Sequence, residues 1–191
     1  MTNSKPLPEP LVESIQSIID LAQTTHDKRT VDHIWAGIME EFGEACKAIL
    51  VEEGARTVST PLTETSNSEL VDVLIMVVDL LTKIRYAKRV DPADLFYIHD
   101  PFDHTPFRFL TMVGVKIGFL TNGVNGIYSY DAQIAMEQQS RYIGSMIISH
   151  IINTFAPDHQ VHAVQFICGV IKEKLAKWQK SIQSATPKDE S

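Results

Sequence analysis

The sequence has little cysteine, no concentrated positive charge and no apolar run long enough for a bilayer, and each shortage removes a class of function. Cys46 and Cys168 are its two thiols. They form no CxxC and follow no secretory signal, so they read as reduced, buried small residues of a cytoplasmic protein rather than as a disulfide or zinc ligands. No Lys/Arg cluster exceeds the loose "KIRYAKR", and the formal net charge is -7, which argues against a nucleic-acid backbone as partner and suits a protein that recruits cations. The longest apolar stretch, "YIGSMIISHIINTFA", is shorter than a span and holds Ser145, His150 and Asn153, so it reads as a core helix with no membrane role. No Glu-x-x-His pair occurs, which demotes redox iron held on a helical bundle. The seven histidines form no constellation, and His159 and His162, at an expected helix start, read as solvent-exposed.

What is present is a chain of 191 residues with 44% hydrophobic and 21% charged residues, the composition of one globular domain with a proper core. Apolar residues recur at helical spacing over 8–24 (Leu11, Ile15, Ile18, Ile19, Ala22) and again over 31–54 (Ile34, Trp35, Ile38, Phe42, Ala45, Ile49), with Gly54 as a natural stop. A Ser/Thr/Pro-rich loop follows, and Asn67 or Ser68 is expected to cap a helix running through "ELVDVLIMVVDLLTKIRYAKR" to the Asp91-Pro92 step. Residues 91–107 offer at most a short helix and then a loop broken by Pro101 and Pro106. Residues 108–128 are ambiguous: Val113, Val115, Ile117 and Phe119 alternate in strand fashion, and Asn122-Gly123 is a hairpin signal. Helices are expected over 131–155 and 159–182, then a frayed polar tail at 184–191. Every firm element is a helix, so the expected fold class is all-α.

The chemistry sits in "EEFGEACKAIL" and "ELVDVLIMVVDLL". At 3.6 residues per turn, Glu41 and Glu44 lie roughly 60° apart around their helix, as do Glu69 and Asp72, and Asp72 and Asp79 only about 20° apart. For the first helix alone, a solvated acidic face is the ordinary explanation. The second helix is apolar nearly all round, so Asp72 is expected to be partly buried and to need a cation or hydrogen-bond partners. Two acid pairs on neighbouring antiparallel helices bring four carboxylates around one point, which suits a hard divalent ion, with Mg²⁺ the natural choice.

These segments resemble the signature of the all-α nucleoside triphosphate pyrophosphohydrolases, the MazG-like proteins and their dimeric dUTPase relatives: EExxE, a spacer, then ExxD. Here it reads "EEFGE" (Glu40, Glu41, Glu44) and "ELVD" (Glu69, Asp72), and the resemblance covers residues 27–89. It implies a MazG-like helical bundle that hydrolyses a nucleoside triphosphate between the α and β phosphates, with Mg²⁺, or Mn²⁺ in its place, as cofactor. The expected substrate is a deoxynucleotide or a noncanonical nucleotide, in pool sanitation or dNTP control. Glu41, Glu44, Glu69 and Asp72 are the expected metal ligands. Glu40 is either a further ligand or, with Glu41, the group that orients water. Candidate substrate contacts each have a plainer reading: Trp35 stacks on a base or fills the core; Lys47 reaches a phosphate or is solvated; Asp79 meets a base or sugar or pairs with a nearby cation. Lys83, Arg85, Lys88 and Arg89 contact phosphate or match the helix dipole. A noncatalytic nucleotide-binding helical regulator and a phosphoribosyl-ATP pyrophosphohydrolase are the alternatives.

Small members of this superfamily reach a four-helix core by dimerising, which directs attention to residues 107–183. "VKIGFLTNGV" (115–124) set beneath "EEFGEACKAI" (40–49) aligns Ile117 with Phe42, Gly118 with Gly43 and Val124 with Ile49. "YIGSMIISHI" (142–151) set beneath "ELVDVLIMVV" (69–78) puts Tyr142 and Ser145 where Glu69 and Asp72 stand. One reading is a degenerate internal repeat, with 1–98 as the acidic half and 107–183 as a silent half, so that one chain folds as a pseudo-dimer. The other is chance likeness between amphipathic helices. The repeat demands a helix over 107–122 and turns Lys116 toward the site as a phosphate partner; a solvated lysine is the plain alternative. A homodimer of whole chains remains open.

Overall fold

The structure, a computed structural model, describes residues 4–57, 62–85, 91–99, 105–125 and 129–185. Six helices carry the fold: α1 (Glu9–Thr24), α2 (Val31–Glu52), α3 (Ser66–Ile84), α4 (Pro106–Asn125), α5 (Tyr130–Thr154) and α6 (Gln160–Ala185). A two-residue antiparallel pairing of β1 (Ser4–Lys5) with β2 (Ile98–His99), matching Ser4 to His99 and Lys5 to Ile98, ties the N-terminus to the middle of the chain. The fold is all-α. Among the described residues no helix is long and apolar enough to cross a membrane.

The helix starts follow local chemistry. Thr30 caps α2 in a reciprocal box: its hydroxyl accepts from the His33 backbone N–H, and the His33 ring accepts from the Thr30 N–H. The chain leaves α2 through Gly54, whose φ of 70° is a conformation glycine adopts without a Cβ penalty. Thr65, rather than Asn67 or Ser68, caps α3, accepting from the Ser68 N–H at 3.3 Å. The described part of α3 ends at Ile84; Lys88 and Arg89 lie outside the described residues.

The ambiguous segment is helix, and the hairpin reading is corrected. Phe109, Leu110, Val113, Ile117 and Leu120 are buried at helical spacing, while Val115 and Phe119 are each 53% exposed, so the apparent alternation mixes core residues with solvent-facing ones. Asn122-Gly123 is not a turn either. Gly123 lies inside α4 where α5 comes close, and a Cβ there would meet Met136.

Two helical pairs build the centre. α2 packs on α3 and α4 on α5, and the pairs face each other through α3 against α5 and α2 against α4. α1 and α6 pack on each other and on α3. α3 is thereby covered on almost every side, with Leu70, Val71, Val73, Leu74, Val77, Val78, Leu80 and Leu81 fully buried. This is the helix whose sequence is apolar nearly all round, and any acid on it must face a neighbouring element. A strap carrying Leu95, Phe96 and β2 covers α5: Ser145 Oγ accepts from the Tyr97 N–H at 3.1 Å and Ser149 Oγ from the His99 N–H at 2.9 Å. The buried Phe96 ring lies where a Cβ on Gly144 would stand.

Candidate functional site

The α2–α3 pair brings Glu41 against Glu69 and Asp72, with one carboxylate oxygen from each lying within 4.8 Å of the others. All three are partly buried. Burial and then repulsion from Asp72, Glu44 and Glu69 push the Glu41 carboxyl from its ordinary 4.5 up to about 7. Glu69 is raised for the same reasons, by burial and by Glu64, Glu44 and Asp72. Partly buried carboxylates this close to one another are unfavourable as anions unless a positive charge joins them.

One positive charge is already there. Lys174 of α6 reaches Asp72 and also bonds Glu64 at 2.6 Å, and Glu64 in turn accepts from the Ser68 hydroxyl at 2.6 Å. Burial works against the Lys174 charge, and its bonds to the two acids more than offset it, so the ammonium is held above its ordinary value. Burial raises Asp72, and the Lys174 bond opposes that rise without reversing it. The Lys174 and Ser68 bonds lower Glu64.

Glu41 and Asp72 line a cavity of about 230 Å³ together with Ile75, Met76, Trp178, Arg29 and Lys174. Arg29 stacks over the Trp178 ring at 4.3 Å and pairs with Asp79. A roomier cleft of about 420 Å³ lies by β1 and β2, but Lys5 and His99 are its ionisable lining residues, so it lacks the charge density of the acidic one.

The other sequence candidates are placed as follows. Glu40, Glu44 and Lys47 are exposed on α2 outside the converging trio, although Glu44 is near enough for its charge to act on Glu41 and Glu69. Trp35 packs against the hydrophobic core. Asp79 is buried, 3% exposed, and faces Arg29; burial takes its carboxyl up to about 6 even with that cation beside it. Lys83 donates to the His26 carbonyl at 2.5 Å, away from the acids. Arg85 pairs with Glu137 at 3.1 Å. Lys116 lies 4.6 Å from the Tyr142 ring centre. Motif and spacing do not point to Glu64, Lys174, Arg29 or Trp178. None belongs to a local pattern: the need of Asp72 for a cation is the signal for Lys174, the pairing of Asp79 with a nearby cation is the signal for Arg29, and nothing in the sequence points to Glu64 or Trp178.

The donor set fits a hard divalent ion. All three groups are carboxylates, and their oxygens lie within the roughly 4–5 Å that ligands on opposite sides of one such ion span. Compared with known protein families, characterised proteins and solved structures, the chain matches none. What the site can do is therefore argued from its residues.

Proposed function

We propose that the protein is a MazG-like, Mg²⁺-dependent nucleoside triphosphate pyrophosphohydrolase, releasing a nucleoside monophosphate and pyrophosphate from a deoxy- or noncanonical nucleotide. The observation that carries this reading is the convergence of Glu41, Glu69 and Asp72 from two facing helices at a cavity that Arg29 and Lys174 also line. The acids would hold the divalent ion, and the two cations are suited to an anionic polyphosphate. Ile75, Met76 and the Trp178 ring offer an apolar wall of the kind a nucleobase packs against.

The reaction forms one bond from a water oxygen to phosphorus and breaks the bridging P–O bond, so that pyrophosphate carries off the electron pair. It is limited by bringing an oxygen nucleophile to an already anionic centre. A bound divalent ion supplies charge neutralisation and a more acidic water. With Glu41, Glu69 and Asp72 committed to the ion, exposed Glu40, next to Glu41 in the chain, is the acid left to orient the water and take its proton. Arg29 is oriented by its Asp79 pair and its stack on Trp178, so its guanidinium is held ready for phosphate oxygens.

A second reading, a noncatalytic nucleotide-binding helical module, draws support from Lys174, which already neutralises part of the acid cluster. One experiment separates the two. Pyrophosphate release is measured over a panel of NTPs and dNTPs, modified bases included, with Mg²⁺ or Mn²⁺, for wild type, Glu41→Gln and Asp72→Asn. The hydrolase reading expects metal-dependent release that both substitutions reduce at least about a hundredfold. Calorimetric nucleotide binding with no release by the wild type moves the conclusion to the binding module.

A further inference from the structure

Lys174 stands where an added cation would compete. Its ammonium is bonded to Asp72, one of the three carboxylates that converge, so it and a divalent ion would compete for the same carboxylate. It is also more than a surface ion pair: the Lys174 side chain is 16% exposed and that of Asp72 13% exposed, values at which solvent screens the pair poorly.

The second bond gives this lysine somewhere to go. Glu64 holds the same ammonium at 2.6 Å from the outer side, with its side chain 27% exposed and the Ser68 hydroxyl fixing its carboxylate. A lysine bonded to Asp72 alone would have to be expelled to solvent when a stronger cation arrived. Bonded to both acids, it can release Asp72 and stay paired. The neighbouring Lys177 offers no substitute, because it is engaged with Glu173 at 2.8 Å on the exposed side of α6.

We propose that Lys174 is a resident counter-cation of the acid site: it neutralises Asp72 in the metal-free protein, withdraws onto Glu64 when a divalent ion binds, and so sets how tightly that ion is held. The proposal rests on reading Glu41, Glu69 and Asp72 as the metal ligands. Its cost to the protein is weaker metal binding. Its benefit is a folded site that does not carry several unpaired buried acids when the ion is absent.

The test is Mn²⁺ binding to the nucleotide-free full chain at pH 8, by titration calorimetry, for wild type, Lys174→Met, Lys174→Gln and Lys177→Met, with circular dichroism to confirm helix content. The glutamine variant keeps a donor for Glu64 and secures the test if the methionine variant folds poorly. The expected result is that both Lys174 variants bind Mn²⁺ roughly tenfold more tightly, or bind it where the wild type does not, while Lys177→Met stays within about twofold of wild type. Equal affinities for wild type and the Lys174 variants would overturn the proposal and leave the metal-site reading standing. An equal gain in Lys177→Met would also overturn it, by assigning the effect to the general field of α6. Absence of Mn²⁺ binding in all four proteins would overturn both.

Discussion

At the scale of single residues, the proton on Glu41 links stability to chemistry. Its carboxyl is lifted from 4.5 to about 7 on folding, so the folded chain binds more protons than the unfolded chain between those values. Stability from this group is therefore present below about pH 4.5 and falls as the pH rises through 7. Glu41→Gln is expected to be more stable than wild type by about 1 kcal/mol at pH 8 in the absence of divalent ions, the full shift being discounted for solvent screening, and to match it at pH 4. Urea midpoints at the two pH values check this. On the proposed hydrolase reading, the same substitution is expected to reduce pyrophosphate release at least about a hundredfold, a trade of function for stability. The acids are plain in the sequence, because "EEFGE" and "ELVD" each place two carboxylates on one helical face, and a face can be read from spacing alone. Lys174 is not, since it stands 102 residues from Asp72. The contact between Lys116 and the Tyr142 ring is hidden for a related reason: the two residues come from different helices, and no local pattern records the pairing.

At the scale of elements, α6 and the strap over α5 are each held by a feature that mutation can address. α6 is pinned partly by Trp178 over Arg29, with Asp79 of α3 beneath. Asp79→Ala leaves a partly buried guanidinium without its carboxylate and is expected to cost about 3 kcal/mol in urea unfolding. Trp178 emission should shift with it. The strap depends on the absence of a side chain at position 144, where a Cβ would come within 2.2 Å of the buried Phe96 ring. Gly144→Ala is expected to destabilise by about 1–3 kcal/mol through overpacking. Gly118→Ala is the matched control: nothing lies within 4 Å of the added methyl, and the exposed helical position should gain about 0.5–1 kcal/mol. α1, α2, α5 and α6 are legible from apolar spacing and punctuation, and α3 from a long apolar run that ends in basic residues. α4 is not, because Val115 and Phe119 face solvent, and sequence does not distinguish an exposed apolar residue from a core one.

At the scale of the whole molecule, a divalent ion that binds only the folded chain must raise its melting temperature. A hundredfold excess over the dissociation constant contributes about 2.7 kcal/mol, which for a chain of this size is a rise of roughly 5–10 °C. Scanning calorimetry at pH 8 is expected to show that rise with Mg²⁺ or Mn²⁺ in the wild type and to lose it in Asp72→Asn. At pH 5 the rise should shrink, because Glu41 then holds its proton and offers a poorer ligand. The paired arrangement of α2–α3 against α4–α5 has the form a repeat within one chain would take, and the second pair carries Lys116, Tyr142 and Ser145 at the positions aligned with the acids.

The separation of Lys174 from Asp72 also has a meaning in time. Glu41, Glu69 and Asp72 belong to consecutive helices that pack on each other, so this hairpin can close while the rest of the chain is still being made. Lys174 is added 102 residues after Asp72, which at ribosomal speeds of roughly 5–20 residues per second is a delay of about 5–20 s. Throughout that interval the nascent chain displays its acids without their lysine, and the ions of its surroundings are the first partners they meet.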